Sequence, residues 1–173
     1  MSLARHLPAG CALRRATAED ARHVGRLMRP ADRAEIEALE GRPVAEFLAE
    51  AIADGSRVLT IDREPVVLYG IAACDGLPGH STPWHATTAT IAHEDLMTVM
   101  RLSRLQIDLW QRRSPSLQAL CDSRNLFHRD WLEWLGFVKG GHLAAFGAAR
   151  LPFDLYVRHA GRVDCNCARE SPP

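Results

Sequence analysis

A chain of 173 residues with 47% hydrophobic and 24% charged side chains has room for one domain with a substantial core and not for two ordinary ones. The same balance excludes a disordered polymer, and no apolar run reaches the length that a membrane-spanning helix needs. Lysine plus arginine and aspartate plus glutamate each total 21, so the formal charge is zero and carries no electrostatic footprint of a nucleic-acid surface.

The opening MSLARHLPAG lacks the apolar core of a secretory signal, which places the chain in the compartment where it is made. CALRRAT, residues 11 to 17, reads as a first strand. Thr17 then caps a helix with Glu19 and Asp20 in its first turn and Val24, Leu27 and Met28 on its apolar stripe, stopped before Pro30. Asp32 with Glu35 three residues on reads as a capping box for a second helix ending at Gly41. A third helix runs from Pro43 to about Asp54, burying Val44, Phe47, Leu48 and Ile52.

RVLTID and PVVLYGIAAC follow as strands joined by a tight turn at Arg63-Glu64, with Gly70 marking a bulge or the close approach of another backbone. DGLPGHSTP, residues 75 to 83, is a loop, and WHATTATIA a fourth strand. The longest helix spans about Asp95 to Arg113, with Asp95 suited to cap it and Leu102, Leu105 and Leu109 on one face. SLQALC is a fifth strand, and Asn125 opens a helix whose Phe127, Trp131 and Leu135 share a face. Apolar runs at 143 to 146 and 153 to 157 complete the domain, assigned to residues 1 to 158, and 159 to 173 form a flexible tail. The expected fold class is α/β, a mixed sheet packed by helices.

Cys74 and Cys121 lie in apolar runs and read as reduced, buried thiols. Cys165 and Cys167, even with His159, do not have a standard zinc spacing, and no metal is assigned. Lys139 is the sole lysine; the arginine bias follows the codon usage of a GC-rich genome more readily than phosphate recognition.

The order of elements, with Asn125 and the ending Leu135-Gly136-Phe137, resembles the GNAT superfamily of acyl-CoA-dependent N-acetyltransferases over roughly residues 11 to 157. It implies a mixed, mostly antiparallel sheet with helices on both faces, and acetyl-CoA as cofactor if the chain is active. RRATAEDARHVGRLMRPADRAEIEAL, PWHATT, MRLSR, DSRNLFHRDWLEWLGF and LPFDLYVRH, in that order, are similar to the GNAT-like proteins of short-tailed bacteriophages, the internal virion protein A-like group. That likeness implies a virion- or assembly-associated role, phage virion proteins as partners, and a location in the host cytoplasm or the virion.

The superfamily holds the cofactor pyrophosphate in a glycine-rich turn between the fourth strand and the long helix, where backbone N–H groups meet the anion. Here the stretch is IAHEDLMTVM, and no glycine occurs between Gly79 and Gly136. Glu94 and Asp95 add negative charge at that point, while Arg101 and Arg104 supply positive charge one or two turns on. The resemblance assigns Asn125 to the pantetheine arm, though the residue is also a good helix cap. It places a tyrosine acid seven residues later, where this chain has Leu132.

Glu94 and His85 are candidate general bases, with Asp95 and His93 beside them; a solvated loop with Asp95 capping the helix is the plainer reading of the acids. His128 stands where the family has a small residue and would exclude a cofactor arm sterically, or lie at the surface. Trp84 lines a pocket or packs under a loop, and Arg29 and Asp32 read as helix-end residues. Three functions follow: a catalytically degenerate GNAT-fold protein of a phage, with no cofactor; an active acyltransferase with an atypical cofactor loop; or a small binding module using the old cleft. The second requires the fourth and fifth strands to splay; full pairing with Trp131 or His128 filling the gap would count against it.

Overall fold

The computed structural model describes residues 7–52, 55–74 and 76–161. In chain order the elements are β1 (Cys11–Arg15), α1 (Ala18–Leu27), α2 (Pro30–Glu40), α3 (Val44–Ala51), β2 (Arg57–Ile61), β3 (Glu64–Ala73), β4 (His80–Thr87), α4 (His93–Gln111), β5 (Ser116–Asp122), α5 (Leu126–Trp134), β6 (Val138–Phe146) and β7 (Leu151–His159). The seven strands form one sheet in the order β1-β2-β3-β4-β5-β7-β6, and every neighbouring pair is antiparallel except β4 with β5. The expected α/β class, a mixed and mostly antiparallel sheet with helices on both faces, is what the chain forms.

Two apolar layers result. On one face Val24 of α1, Val44 and Leu48 of α3, and Val58, Leu68 and Ala86 of the sheet pack together; on the other, Val99, Leu102 and Ile107 of α4 and Trp131 and Leu132 of α5 cover Leu59, Val67, Leu117 and Tyr156. Each fully buried leucine or valine stabilises the fold by about 1.5–3 kcal/mol relative to an exposed one.

Thr17 caps α1 as its sequence requires: its hydroxyl accepts from the Asp20 N–H, and the Asp20 carboxylate accepts from the Thr17 N–H at 2.8 Å. The second box does not form. Pro30 opens α2 behind Arg29, so Asp32 lies inside the first turn and Glu35 is buried, because both side chains find partners on α5 instead. The β2–β3 turn is Asp62-Arg63, both at positive φ, and Glu64 already belongs to the strand. At Gly70 the close neighbour is the Trp84 indole, not a backbone: a Cβ there would meet it at 2.2 Å, while the β3–β4 register runs unbroken.

β4 begins four residues before Trp84 and ends at Thr87; Thr88 forms an isolated antiparallel bridge with Met28, and 89–92 are turn and coil. Pro83 is tolerated because β4 has by then left β5 and become an edge. α4 starts at His93 with Ala92 as an N-cap that offers no side-chain bond, so Asp95 sits within its first turn. Phe127 does not join the buried face of α5; it is exposed, with the Arg29 guanidinium 3.8 Å from its ring centre. His159 closes β7, and Cys165 and Cys167 lie outside the described residues.

Candidate functional site

The site lies where the sheet opens. β4 and β5 pair only at His80 with Ser116 and Ser81 with Leu117, then diverge. The gap holds a chamber of about 550 Å³ with mostly apolar walls, among them Ile36, Phe47, Trp84, Trp110, Leu120 and Leu135, and with Tyr69, His85, Gln118, Glu35 and His128 as its polar groups. Towards the start of α4 a second hollow of about 170 Å³ is bounded by Thr87, Thr88, Ala89, Leu96 and Phe127. His85, His128 and Trp131 line both, so these three rings stand between the two spaces. The His85 ring is centred 5.6 Å from His128 and 5.8 Å from Trp131.

Across this opening α2 and α5 are tied by a polar network. Asn125 is the N-cap of α5, its Oδ1 accepting from the His128 N–H, as its residue type leads one to expect. Its Nδ2 donates to Glu35 Oε2 at 2.7 Å and to Asp32 Oδ1 at 3.1 Å, so both amide hydrogens and the carbonyl are engaged. His128 Nδ1 donates to Glu35 Oε1 at 2.6 Å, and Arg29 grips Asp32 through two nitrogens. Glu35 and Asn125 are buried.

The two histidines are driven in opposite directions. Burial, and then the positive His128 beside it, lower His85 to about 4, so it is neutral at pH 7. Burial also acts to lower His128, but the charge and hydrogen bond of Glu35 outweigh it and hold the imidazolium above its ordinary value. Asp32 is held below the usual carboxylate range although burial opposes this, because Arg29 and Asn125 both donate to it.

The remaining sequence candidates are dispersed. Glu94 and His93 are exposed at the start of α4 and Asp95 is half-buried, and none of the three lines the chamber. Arg101 and Arg104 are exposed on α4, Arg104 lying 5.2 Å over the Trp134 ring. In the β4–α4 segment the Thr88 N–H donates to Val66 and the Ala89 N–H to Leu27, so these two amides are spent within the fold. Tyr69 is buried with its hydroxyl 3.1 Å from Ser103, and Tyr156 donates to Glu133 with burial first and Glu133 second pushing it up to about 12. Leu132 is buried in the core.

Solved structures match this architecture over nearly their whole length. The ribosomal-protein-S5-alanine acetyltransferase from Vibrio fischeri superposes with a TM-score of 0.64 at 13% identity, covering 90% of this chain and 96% of that one. A GNAT-family acetyltransferase from Bacillus anthracis gives 0.65 at 10% identity, covering 88% and 96%. RimL, a ribosomal L7/L12 alpha-N-protein acetyltransferase solved in complex with coenzyme A, gives 0.64 at 11%, covering 88% and 95%. The fold is that of the GNAT acetyltransferases. No family model and no curated protein sequence matches the chain.

The divergence of β4 and β5 is the splay that the sequence resemblance requires of an acyltransferase. Sequence reasoning identified His85, Asn125 and His128 there but missed Glu35 as anything more than part of a cap. The available signal was an acid on the same helical stripe as Ala31, Ala38 and Leu39.

Proposed function

We propose that this GNAT-fold protein has lost acyl-CoA transfer and works by association, as a virion or assembly component of a phage. The observation that carries the first half is Asn125: the residue that the superfamily resemblance assigns to the pantetheine arm has its amide committed to Asp32 and Glu35 and its carbonyl to the His128 N–H. The absence of glycine from Ile91 to Met100 and leucine at position 132 point the same way. The second half rests on the resemblance of the ordered sequence phrases to phage GNAT-like proteins.

Thermal unfolding with acetyl-CoA tests it. A ligand present at 100 times its Kd adds about 2.7 kcal/mol, which in a domain of this size raises Tm by roughly 5–10 °C. The expected shift at millimolar acetyl-CoA is below about 1 °C on that same scale; a rise of several degrees would overturn the reading. Copurification with phage particles tests the associative role, and its failure with intact particles removes that role.

One observation favours the alternative of an active acyltransferase. β4 and β5 diverge after two residue pairs, and a neutral His85 faces the resulting chamber with the protonation state a general base needs. That reading predicts a mass gain of one acetyl group on a peptide or amine acceptor, abolished by His85→Ala.

A further inference from the structure

Three different elements bring one donor each to a single point beside the chamber, two of them, Glu35 and His128, on its wall. Glu35 comes from α2, Cys121 from the end of β5 and His128 from the first turn of α5, and their ligating oxygen, sulfur and nitrogen all lie within 4.8 Å of one another. Glu35 and Cys121 are buried and His128 is half-buried.

A tetrahedral zinc ion with ordinary bond lengths holds its N, O and S ligands about 3.3–3.8 Å apart, so to enclose one the donors must draw in from separations of up to 4.8 Å while His128 and Glu35 open from their 2.6 Å hydrogen bond. One imidazole, one thiolate and one carboxylate form a set suited to zinc and not to magnesium or calcium, which take oxygen ligands. The surroundings are those of an oriented ligand shell. Asn125 Nδ2 fixes the Glu35 carboxylate from outside at 2.7 Å, Asp32 shares that amide, and Arg29 holds Asp32. Cys121 has only long contacts to carbonyls, 3.4 Å to Asp122 and 3.8 Å to Asn125, and gives up no strong hydrogen bond by binding a metal.

We propose that Glu35, Cys121 and His128 form a zinc-type divalent-metal site whose fourth position opens on the chamber between β4 and β5. Glu35 and His128 both face that chamber, so the fourth ligand is water or a small anionic or carbonyl group admitted there. The site goes beyond the loss of acyl-CoA transfer and does not depend on it.

The test is cobalt titration of the 173-residue chain carrying Cys165→Ser and Cys167→Ser, which removes the thiols that lie outside the described residues. The expected result is one equivalent of Co²⁺ with a thiolate-to-cobalt charge-transfer band and the intense visible bands of a four-coordinate ion, displaced by zinc. Cys121→Ser should abolish the charge-transfer band, and His128→Gln or Glu35→Gln should weaken binding by more than the roughly ten- to hundredfold that losing an outer-shell partner costs. Absence of the band in the parent chain overturns the proposal. So does its survival in Cys121→Ser, which would assign the thiolate to Cys11 or Cys74. Should Cys121→Ser fail to fold, the two glutamine variants decide, since unchanged cobalt affinity in both also overturns it.

Discussion

Asp20 and Glu35 are both buried carboxylates, yet Asp20 is satisfied by residues three and six positions away and Glu35 by residues 90 and 93 positions away. At the start of α1, Thr17 and Arg14 lie next to Asp20 in the chain, and the acid completes a cap that any isolated helix would recognise. At the cleft, Glu35 is acceptable only after β5 and α5 have delivered Asn125 and His128. A local solution makes each group nearly independent of the rest of the fold; a distant one makes α2 and α5 stand or fall together.

The largest expected effect comes from breaking the distant solution. His128→Ala leaves Glu35 buried without its cationic partner and should cost about 3 kcal/mol or more, read by urea unfolding. A loss under about 1 kcal/mol, the scale of an exposed pair, would show that the cleft network contributes no more than a surface ion pair.

Acid should separate the two regions next. Asp20 is lowered to about 2, first by the Arg14 hydrogen bond, against an ordinary value of 3.8. A depressed carboxylate contributes stability that is present above pH 4 and lost as pH falls towards 2, here about 2 kcal/mol at most because Arg14 is 45% exposed. His85, lowered from 6.5 to about 4, acts earlier: as pH falls from 6.5 to 4 the unfolded chain takes up a proton that the folded one refuses, and stability falls. His128, raised, contributes below pH 6.5 and loses that contribution as pH climbs through its folded value. The cleft is therefore weakened on both sides of neutrality and the α1 cap on the acid side alone. In stability measured across pH, wild type should exceed Asp20→Asn by up to about 2 kcal/mol above about pH 4, and the two should converge as pH falls towards 2.

Thr17→Ala should cost about 1 kcal/mol, the value of a lost cap. The smallest effect is a coupling: Thr17→Ala and His128→Ala should add within about 0.5 kcal/mol, being distant and without shared partners, whereas Glu35→Gln and His128→Ala should not. Additivity in the second pair would break the contrast.

The same difference in range governs what could be read from the chain beforehand. Thr17, the apolar stripe of α1 and the Asn125 cap are written in neighbouring residues, and the structure forms them as expected. The spacing Asp32-x-x-Glu35 is equally local, but tertiary partners overrode it, as they did the expected burial of Phe127, which Arg29 covers from another helix. Strand β4 was misplaced because proline and glycine at 78 to 83 signal a loop, and nothing nearby reveals that a strand edge freed by the splay accepts Pro83. Histidine at 85 and 128 drew notice through the superfamily resemblance; that the two would face each other over Glu35 depends on packing between α2, β4 and α5, which no window of sequence contains.

Two rungs, His80 with Ser116 and Ser81 with Leu117, are the whole backbone seam between a four-stranded plate and a three-stranded one. Mechanically the sheet is two boards nailed at one corner, with the side chains of Glu35, Asn125 and His128 as a strap across the free end. A force applied along the direction of the hydrogen bonds should part this seam before the seven-rung ladders on either side of it, β3 with β4 and β5 with β7.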